Sequence, residues 1–315
     1  SSTAPAAYTI QDIPPSFDES AQDLASELST LRMNNGGAVD NGQLLWFPVL
    51  QHKQASIYEE QHLIPKLLQY CGNGWSFGAG SGTSANKHHV VITSPYPSFT
   101  SSVTAAMNAA FGADNKRISY EVVIPAANSH GFKNATGFKR IIPELHTYIL
   151  HSFIQGVQQK NADTSSDMKS DMTGAEGLKV QRYDRDGWTY HSKGMWFFSS
   201  PHNDESQSMI ESKCTSETSI SLTPYMTYIG SSNLGERSWK RDFELSFLVT
   251  CGHNSNHEEI TKKQQMNQNS FQSELSAEYA NIVNHCTVMD RTKQVKYEFN
   301  KSLVRVISRL IKTVL

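Results

Sequence analysis

Residues 187–201 read GWTYHSKGMWFFSSP, an aromatic and apolar run that carries a histidine and a lysine two positions apart. The aromatic content favours a strand, and in a strand alternate side chains share a face. His191 and Lys193 would then lie on one face and Ser192 on the other. An imidazole beside an ammonium is costly to bury, so that face either lines a site or meets solvent.

Strand and helix patterns alternate on both sides of this run. QLLWFPVLQ (43–51) reads as a buried strand. SIYEEQHLIPKLLQYC follows with Ile57, Leu63, Leu67 and Leu68 at helical spacing and Pro65 as the point where a helix would kink. HHVVITSPY (88–96) and YEVVIPAA (120–127) read as strands, with a helix over SFTSSVTAAMNAAFG between them. LKVQRYD, the GWTYHSKGMWFF run, PYMTYIG and DFELSFLVT (242–250) continue the strand series; in the last, Phe243, Leu245, Phe247 and Val249 share one face. Ser255 and Glu258 form a capping box that would open a long polar helix. The alternation predicts an α/β fold, a sheet flanked by helices. Polar stretches near 159–177 and 199–221 read as surface insertions, and 1–42 as a linker or lead-in with a short helix near 19–32.

A chain of 315 residues can bury a sizeable core, and a net charge of −2 is no electrostatic match for nucleic acid. Cys71, Cys214, Cys251 and Cys286 are scattered, with no CxxC pair, so reduced thiols are expected and neither a metal nor a cofactor is called for. CGNGWSFGAGSG lacks the Lys-Ser/Thr that completes a phosphate loop and reads as a connection. No run has the length of a membrane span. The opening SSTAPAAYTIQDIPPSF has neither an initiator Met nor a signal pattern, and a fragment or processed product is expected.

A second stretch gives the His-Lys pair its company. YIGSSNLGERSWKRDFELSFL (228–248) ends one strand with Gly230, Ser231 and Asn233 and opens the next with Glu244, eleven residues after Asn233. A neutral imidazole can attack phosphorus or move a proton, a lysine can hold a phosphoryl oxygen, and Ser and Asn donors can complete a clamp on the charge. A carboxylate bonded to the second imidazole nitrogen would fix its tautomer, and Glu244 is the candidate. Arg237, Lys240 and Arg241 would supply the cation that an anionic acceptor requires; a solvated basic turn, or a pair with Asp242, accounts for them equally well. His130, beside Gly131 in a loop, fits a surface histidine as well as one in a pocket.

Taken together, His191, Lys193, Gly230, Ser231, Asn233 and Glu244 resemble the HxK…GSxN…E pattern of the phospholipase D superfamily. The superfamily's Asp five residues after the Lys is replaced here by Phe198. HSKGMWFF, YIGSSNLGERSWKRDFE, LLWFPVLQHK, VVITSPYPSFT, IPAANSHGF and VRVISRLIKTVL are together similar to eukaryotic phosphatidylglycerophosphate synthases, over most of 43–315. The resemblance implies a mixed-sheet phospholipase D-like lobe, flanked by helices, and transfer of a phosphatidyl group from CDP-diacylglycerol to glycerol 3-phosphate, releasing CMP. It implies a phosphohistidine intermediate without a metal, with His191 as nucleophile or general acid/base. It also implies a peripheral place at the matrix face of the mitochondrial inner membrane, on the way to cardiolipin. Such enzymes carry two HxK motifs, whereas only His191 is followed by a Lys two residues later in this chain. The chain is therefore expected to be the second, C-terminal lobe, 43–315, with a first lobe as its partner, or else a homo-oligomer.

Two other readings compete. One is a phospholipase D-type phosphodiesterase or hydrolase working as a dimer; the other is a non-catalytic membrane-attachment lobe. For the second, KSLVRVISRLIKTVL places Leu303, Val306, Ile307, Leu310, Ile311 and Val314 on one helical face. Lys301, Arg305, Arg309 and Lys312 take the other, a pattern suited to an anionic membrane surface or to packing against the fold.

Overall fold

A computed structural model describes residues 44–72, 87–111, 118–162, 177–200, 222–251, 262–289 and 301–311. The chain divides into Ser1–Ala38 and Val39–Leu315, and the described residues all belong to the second unit. The lead-in, the capping box at Ser255 and Glu258, residues 73–82 of the glycine-rich stretch and most of both insertions lie outside them.

The strands are β1 (Leu44–His52), β2 (Ile57–Tyr58), β3 (Lys87–Thr93), β4 (Ile118–Pro125), β5 (Leu178–Tyr183), β6 (Gly194–Ser200), β7 (Thr223–Gly230), β8 (Glu244–Cys251) and β9 (Cys286–Val288). They form one sheet in the order β2-β1-β8-β7-β6-β3-β4-β5-β9. The β3–β4 and β4–β5 pairs are parallel and the others antiparallel. The helices are α1 (Glu59–Gly72), α2 (Ser101–Ala110), α3 (Ile142–Ala162), α4 (Glu236–Lys240), α5 (Lys262–Val283) and α6 (Lys301–Ile311). The expected mixed sheet flanked by helices is what forms.

Strand alternation sends two apolar sets to two layers. Val91, Val123, Trp196, Phe198 and Val249 pack with Phe271 and Leu275 of α5, over which Tyr183 and Tyr190 close. The residues between them, such as Met195 and Phe197, are fully buried too, as expected for strands covered on both faces. On that side Tyr120 Oη of β4 donates to the Leu68 carbonyl of α1 at 3.4 Å, and Asn108 of α2 donates to the Gly156 carbonyl of α3 at 3.3 Å. Pro65 sits inside α1 without ending it. Gly72 allows α1 to touch α2, since a Cβ there would stand 2.4 Å from Ala110 Cβ.

Three details differ from the sequence reading. The helix α3 was not anticipated, although Leu145, Ile149 and Phe153 recur at its spacing and are buried. In β8 the burial is inverted at the start: Glu244 and Ser246 are buried whereas Phe243 and Leu245 are 60% and 40% exposed. Trp46 of β1 is 56% exposed and packs edge-on against Phe247, so the β1–β8 side carries an open apolar patch. In α6, Val304 is fully buried and Ile307 half-buried, both against Ile141, Leu145 and Tyr148 beside α3; the helix docks on the fold by this side.

Candidate active site

The run 187–193 is not a strand. β6 begins only at Gly194, and His191 and Lys193 stand in the loop that leads into it. Backbone hydrogen bonds go elsewhere: Tyr190 N–H donates to the Ser129 carbonyl at 2.9 Å, and the Tyr190 ring packs on Tyr183 at 4.7 Å. Gly194 has φ +156°, and a Cβ there would lie 2.6 Å from the Tyr228 carbonyl, so only glycine lets the loop enter the sheet so close to β7. The expected division of faces survives the change. Ser192 Oγ turns to Thr93 Oγ1 at 3.3 Å, while Lys193 Nζ lies 2.9 Å from His191 Nδ1 and 3.3 Å from Nε2.

Burial, and then the Lys193 ammonium, hold the His191 pKa below its ordinary value, which favours the neutral imidazole near pH 7. Burial also lowers the Lys193 pKa, and the Glu244 carboxylate opposes that shift. A lysine this close to an imidazole needs such a counter-charge, and Glu244 at the head of β8 supplies it.

The GSxN segment crosses at the end of β7. Gly230 pairs with Ser246, and a Cβ on it would lie 2.0 Å from Ser246 Oγ. That close approach brings Ser231 over the head of β8, where its Oγ donates to Glu244 Oε2, and its N–H donates to the Leu245 carbonyl at 3.1 Å. The hydrogen-bond partner that the structure gives Glu244 is thus Ser231, rather than the imidazole. Leu234 takes a left-handed φ of +58°, and Asn233 is fixed through its backbone, its N–H donating to Ser238 Oγ at 3.2 Å. Asn233 Oδ1 is buried without a hydrogen bond to another described group.

The basic residues of α4 divide. Arg237 pairs with Asp242 at 2.9 Å, as the internal-pair reading has it, and Lys240 pairs instead with Glu236 at 2.5 Å; Arg241 is exposed. The Arg237 charge also acts on Tyr96, whose pKa is raised by burial and lowered in part by Arg237.

Tyr96 is the residue that sequence reasoning left without a role. Its ring meets His191 edge-on at 6.1 Å and lies 5.0 Å from His146. His130 is not a surface residue: it is 5% exposed, and its Nε2 lies 2.9 Å from His146 Nδ1. Because His130 Nδ1 accepts from Phe132 N–H, its proton sits on Nε2 and points at His146. Burial pushes the two imidazoles down to about 4 and about 3, so the pair is neutral and forms a rigid aromatic wall behind Tyr96. In the sequence, VVITSPYPSFT and IPAANSHGF carry Tyr96 and His130, and nothing local ties them to His146.

Among the described residues no group of His, Cys, Asp and Glu could hold a metal ion. No described helix is long and apolar enough to cross a membrane.

No family model matches the chain. Its sequence is similar to a probable CDP-diacylglycerol–glycerol-3-phosphate 3-phosphatidyltransferase of Dictyostelium discoideum, 24% identical over 67% of this chain and 28% of that protein. The mitochondrial enzymes of that name from Gallus gallus and Homo sapiens are each 26% identical, over 47% and 62% of this chain and 21% and 27% of theirs. The chain thus spans about a quarter of the length of the curated relatives it matches. In fold it is similar to the crystal structure of phosphatidylserine synthase from Haemophilus influenzae, with a TM-score of 0.54 and 14% identity over 94% of this chain and 56% of that one.

Proposed function

We propose that this chain is the C-terminal, phospholipase D-like lobe of an enzyme that moves a phosphatidyl group from CDP-diacylglycerol to glycerol 3-phosphate. The observation that carries the reading is the convergence of a neutral His191, Lys193 and a Ser231–Glu244 pair at the mouths of β6, β7 and β8. The names of the sequence relatives supply the substrates.

The chemistry then runs as two displacements at phosphorus. An imidazole nitrogen attacks, the bond from phosphorus to the CMP oxygen breaks, and CMP leaves with a proton from an acid. The hydroxyl of glycerol 3-phosphate next attacks the phosphohistidine, its proton passes to a base, and the P–N bond breaks to free the imidazole. One imidazole cannot carry the phosphoryl group and move protons in the same step, so two are needed. We assign His191 the proton transfers and a histidine of a second lobe the covalent step; this chain holds a single HxK motif. Lys193 and the Asn233 side-chain amide hold the charge that builds on the phosphoryl oxygens in the transition state, while Ser231 holds Glu244 in place through its hydroxyl. Glu244 keeps the ammonium charged. Arg237 and Arg241 stand at the acceptor side, where exchange of Asp242 for a phosphate would free the guanidinium of Arg237. The place of action is the matrix face of the mitochondrial inner membrane, reached peripherally with the basic side of α6 toward anionic lipid.

The test is phosphatidyl transfer to labelled glycerol 3-phosphate by the complete enzyme. His191→Ala should lower it by on the order of 10³ or more while the protein stays folded. Transfer within about tenfold of the parent would overturn the assignment. Release of phosphatidic acid into water at the parent's transfer rate would favour a hydrolase instead.

A further inference from the structure

Beneath the Gly230–Asn233 turn lies a buried polar chamber that the chemistry above does not use. Its floor is Glu60 of α1, 1% exposed, with neither carboxyl oxygen in a hydrogen bond to a described group. Ser232, Tyr228 and Trp239 are the hydrogen-bonding groups turned toward it, and Glu244 is the neighbouring charge. Tyr228 Oη, Trp239 Nε1 and Ser246 Oγ are also buried without closing a hydrogen bond. Five elements therefore send polar groups to one buried cluster: α1, β7, the turn after it, α4 and β8. The inverted burial of β8 has its cause here, because Glu244 and Ser246 must face inward to reach the chamber.

We propose that Glu60 is a positioning residue for this site: as a neutral acid it holds Glu244 turned to Ser231 and Lys193, and its ionisation loosens that arrangement. This deepens the functional reading above and rests on it for the identity of the site. A second negative charge there would face the Glu244 carboxylate, and among the described residues no cation acts on Glu60 to offset it. The Glu244 charge would then be divided between repulsion from below and attraction to Lys193. Support comes from the acid itself. Burial, and then less strongly the Glu244 charge, push the Glu60 pKa up to about 7, against the donor groups of Ser232, Tyr228 and Trp239 turned toward it. The titratable groups facing it are Glu244 from β8 and Tyr228 from β7. On its own helix Glu59 turns away, accepting from Leu50 N–H at 2.7 Å. A neutral Glu60 can donate a proton to one neighbour and accept from another, which an ionised one cannot do.

The experiment is an NMR titration of the His191 imidazole in the 315-residue chain, assigned with His191→Ala. Parent protein should show the imidazole's own inflection and a second one near pH 7 as Glu60 ionises. Glu60→Gln, neutral at every pH, should lose the second inflection and keep the first. Tyr228→Phe removes a group that stabilises ionised Glu60 and should move the second inflection to higher pH. A single inflection that Glu60→Gln leaves unchanged would overturn the proposal, as would a folded Tyr228→Phe variant with the parent's second inflection. The readout needs no turnover, so a failed transfer assay with an intact second inflection would refute the reaction and leave the coupling standing.

Discussion

Gly230→Ala tests whether the approach of β7 to β8 builds the site. The added Cβ would sit 2.0 Å from Ser246 Oγ, 2.4 Å from its Cβ and 2.5 Å from its Cα. Unstrained carbon–carbon contacts lie at about 3.5–4.0 Å, so β8 has to recede by about 1 Å at this pair. A hydroxyl can rotate away; a Cα held in a ladder cannot. Overpacking costs about 1–3 kcal/mol, and a backbone contact belongs at the top of that range. The recoil also stretches the hydrogen bond from Ser231 N–H to the Leu245 carbonyl and that from Leu245 N–H to Ser231 Oγ, both 3.1 Å. The expected loss is about 3 kcal/mol, which for a chain of this size lowers Tm by about 4–5 °C. Thermal unfolding by circular dichroism reads it. Ser246→Gly in the same protein removes the Oγ and Cβ contacts and leaves Cα, so it should restore part of the loss and never all of it. A Gly230→Ala variant whose Tm lies within about 1 °C of the parent would refute the reasoning, since the strands would then have been free to separate.

Two further outcomes follow from the same geometry. Glu121 of β4 is buried with Lys179 Nζ at 3.3 Å; burial raises its pKa, but the hydrogen bond and charge of His89, the charge of Lys179 and the Gln181 hydrogen bond together bring it below the ordinary value. Its contribution to stability is therefore present above the unfolded carboxyl pKa and lost as pH falls through the folded one, and Glu121→Gln should flatten the acid limb of a Tm-against-pH curve; an unchanged limb would refute this. Deleting residues 301–315 should weaken sedimentation with cardiolipin-containing vesicles, each basic residue near such a surface being worth about 1 kcal/mol, and should also destabilise the fold by exposing Ile141 and Leu145; undiminished vesicle binding by a folded deletion variant would refute the membrane role.

The sequence by itself determined most of the strand series and the helices α1, α2 and α6, and it supplied the residues proposed for the site. These rest on short-range signals: apolar periodicity, caps and the order of a few polar residues along the chain. His191, Lys193, Ser231 and Glu244 could be picked out because their chemistry is written in residue type and spacing. The tertiary structure decided what each of them touches. The Tyr190 backbone bonds to Ser129 and so takes 187–193 out of the sheet, a contact across 61 positions that no local pattern encodes. Glu244 meets Ser231 because a glycine lets two strands close, and Arg237 is tied to Asp242 within its own turn. Whether the loop residue His130 faced solvent or a pocket was open in the sequence, and α3 decides it by bringing His146 against it. The start of β8 is the clearest case. Its alternation of Phe243, Leu245 and Phe247 with Glu244 and Ser246 puts the apolar set on one face, and period-2 patterning says only that two faces differ. Which face is covered depends on what lies across it, and there α1 brings a carboxyl, so the polar face is the buried one.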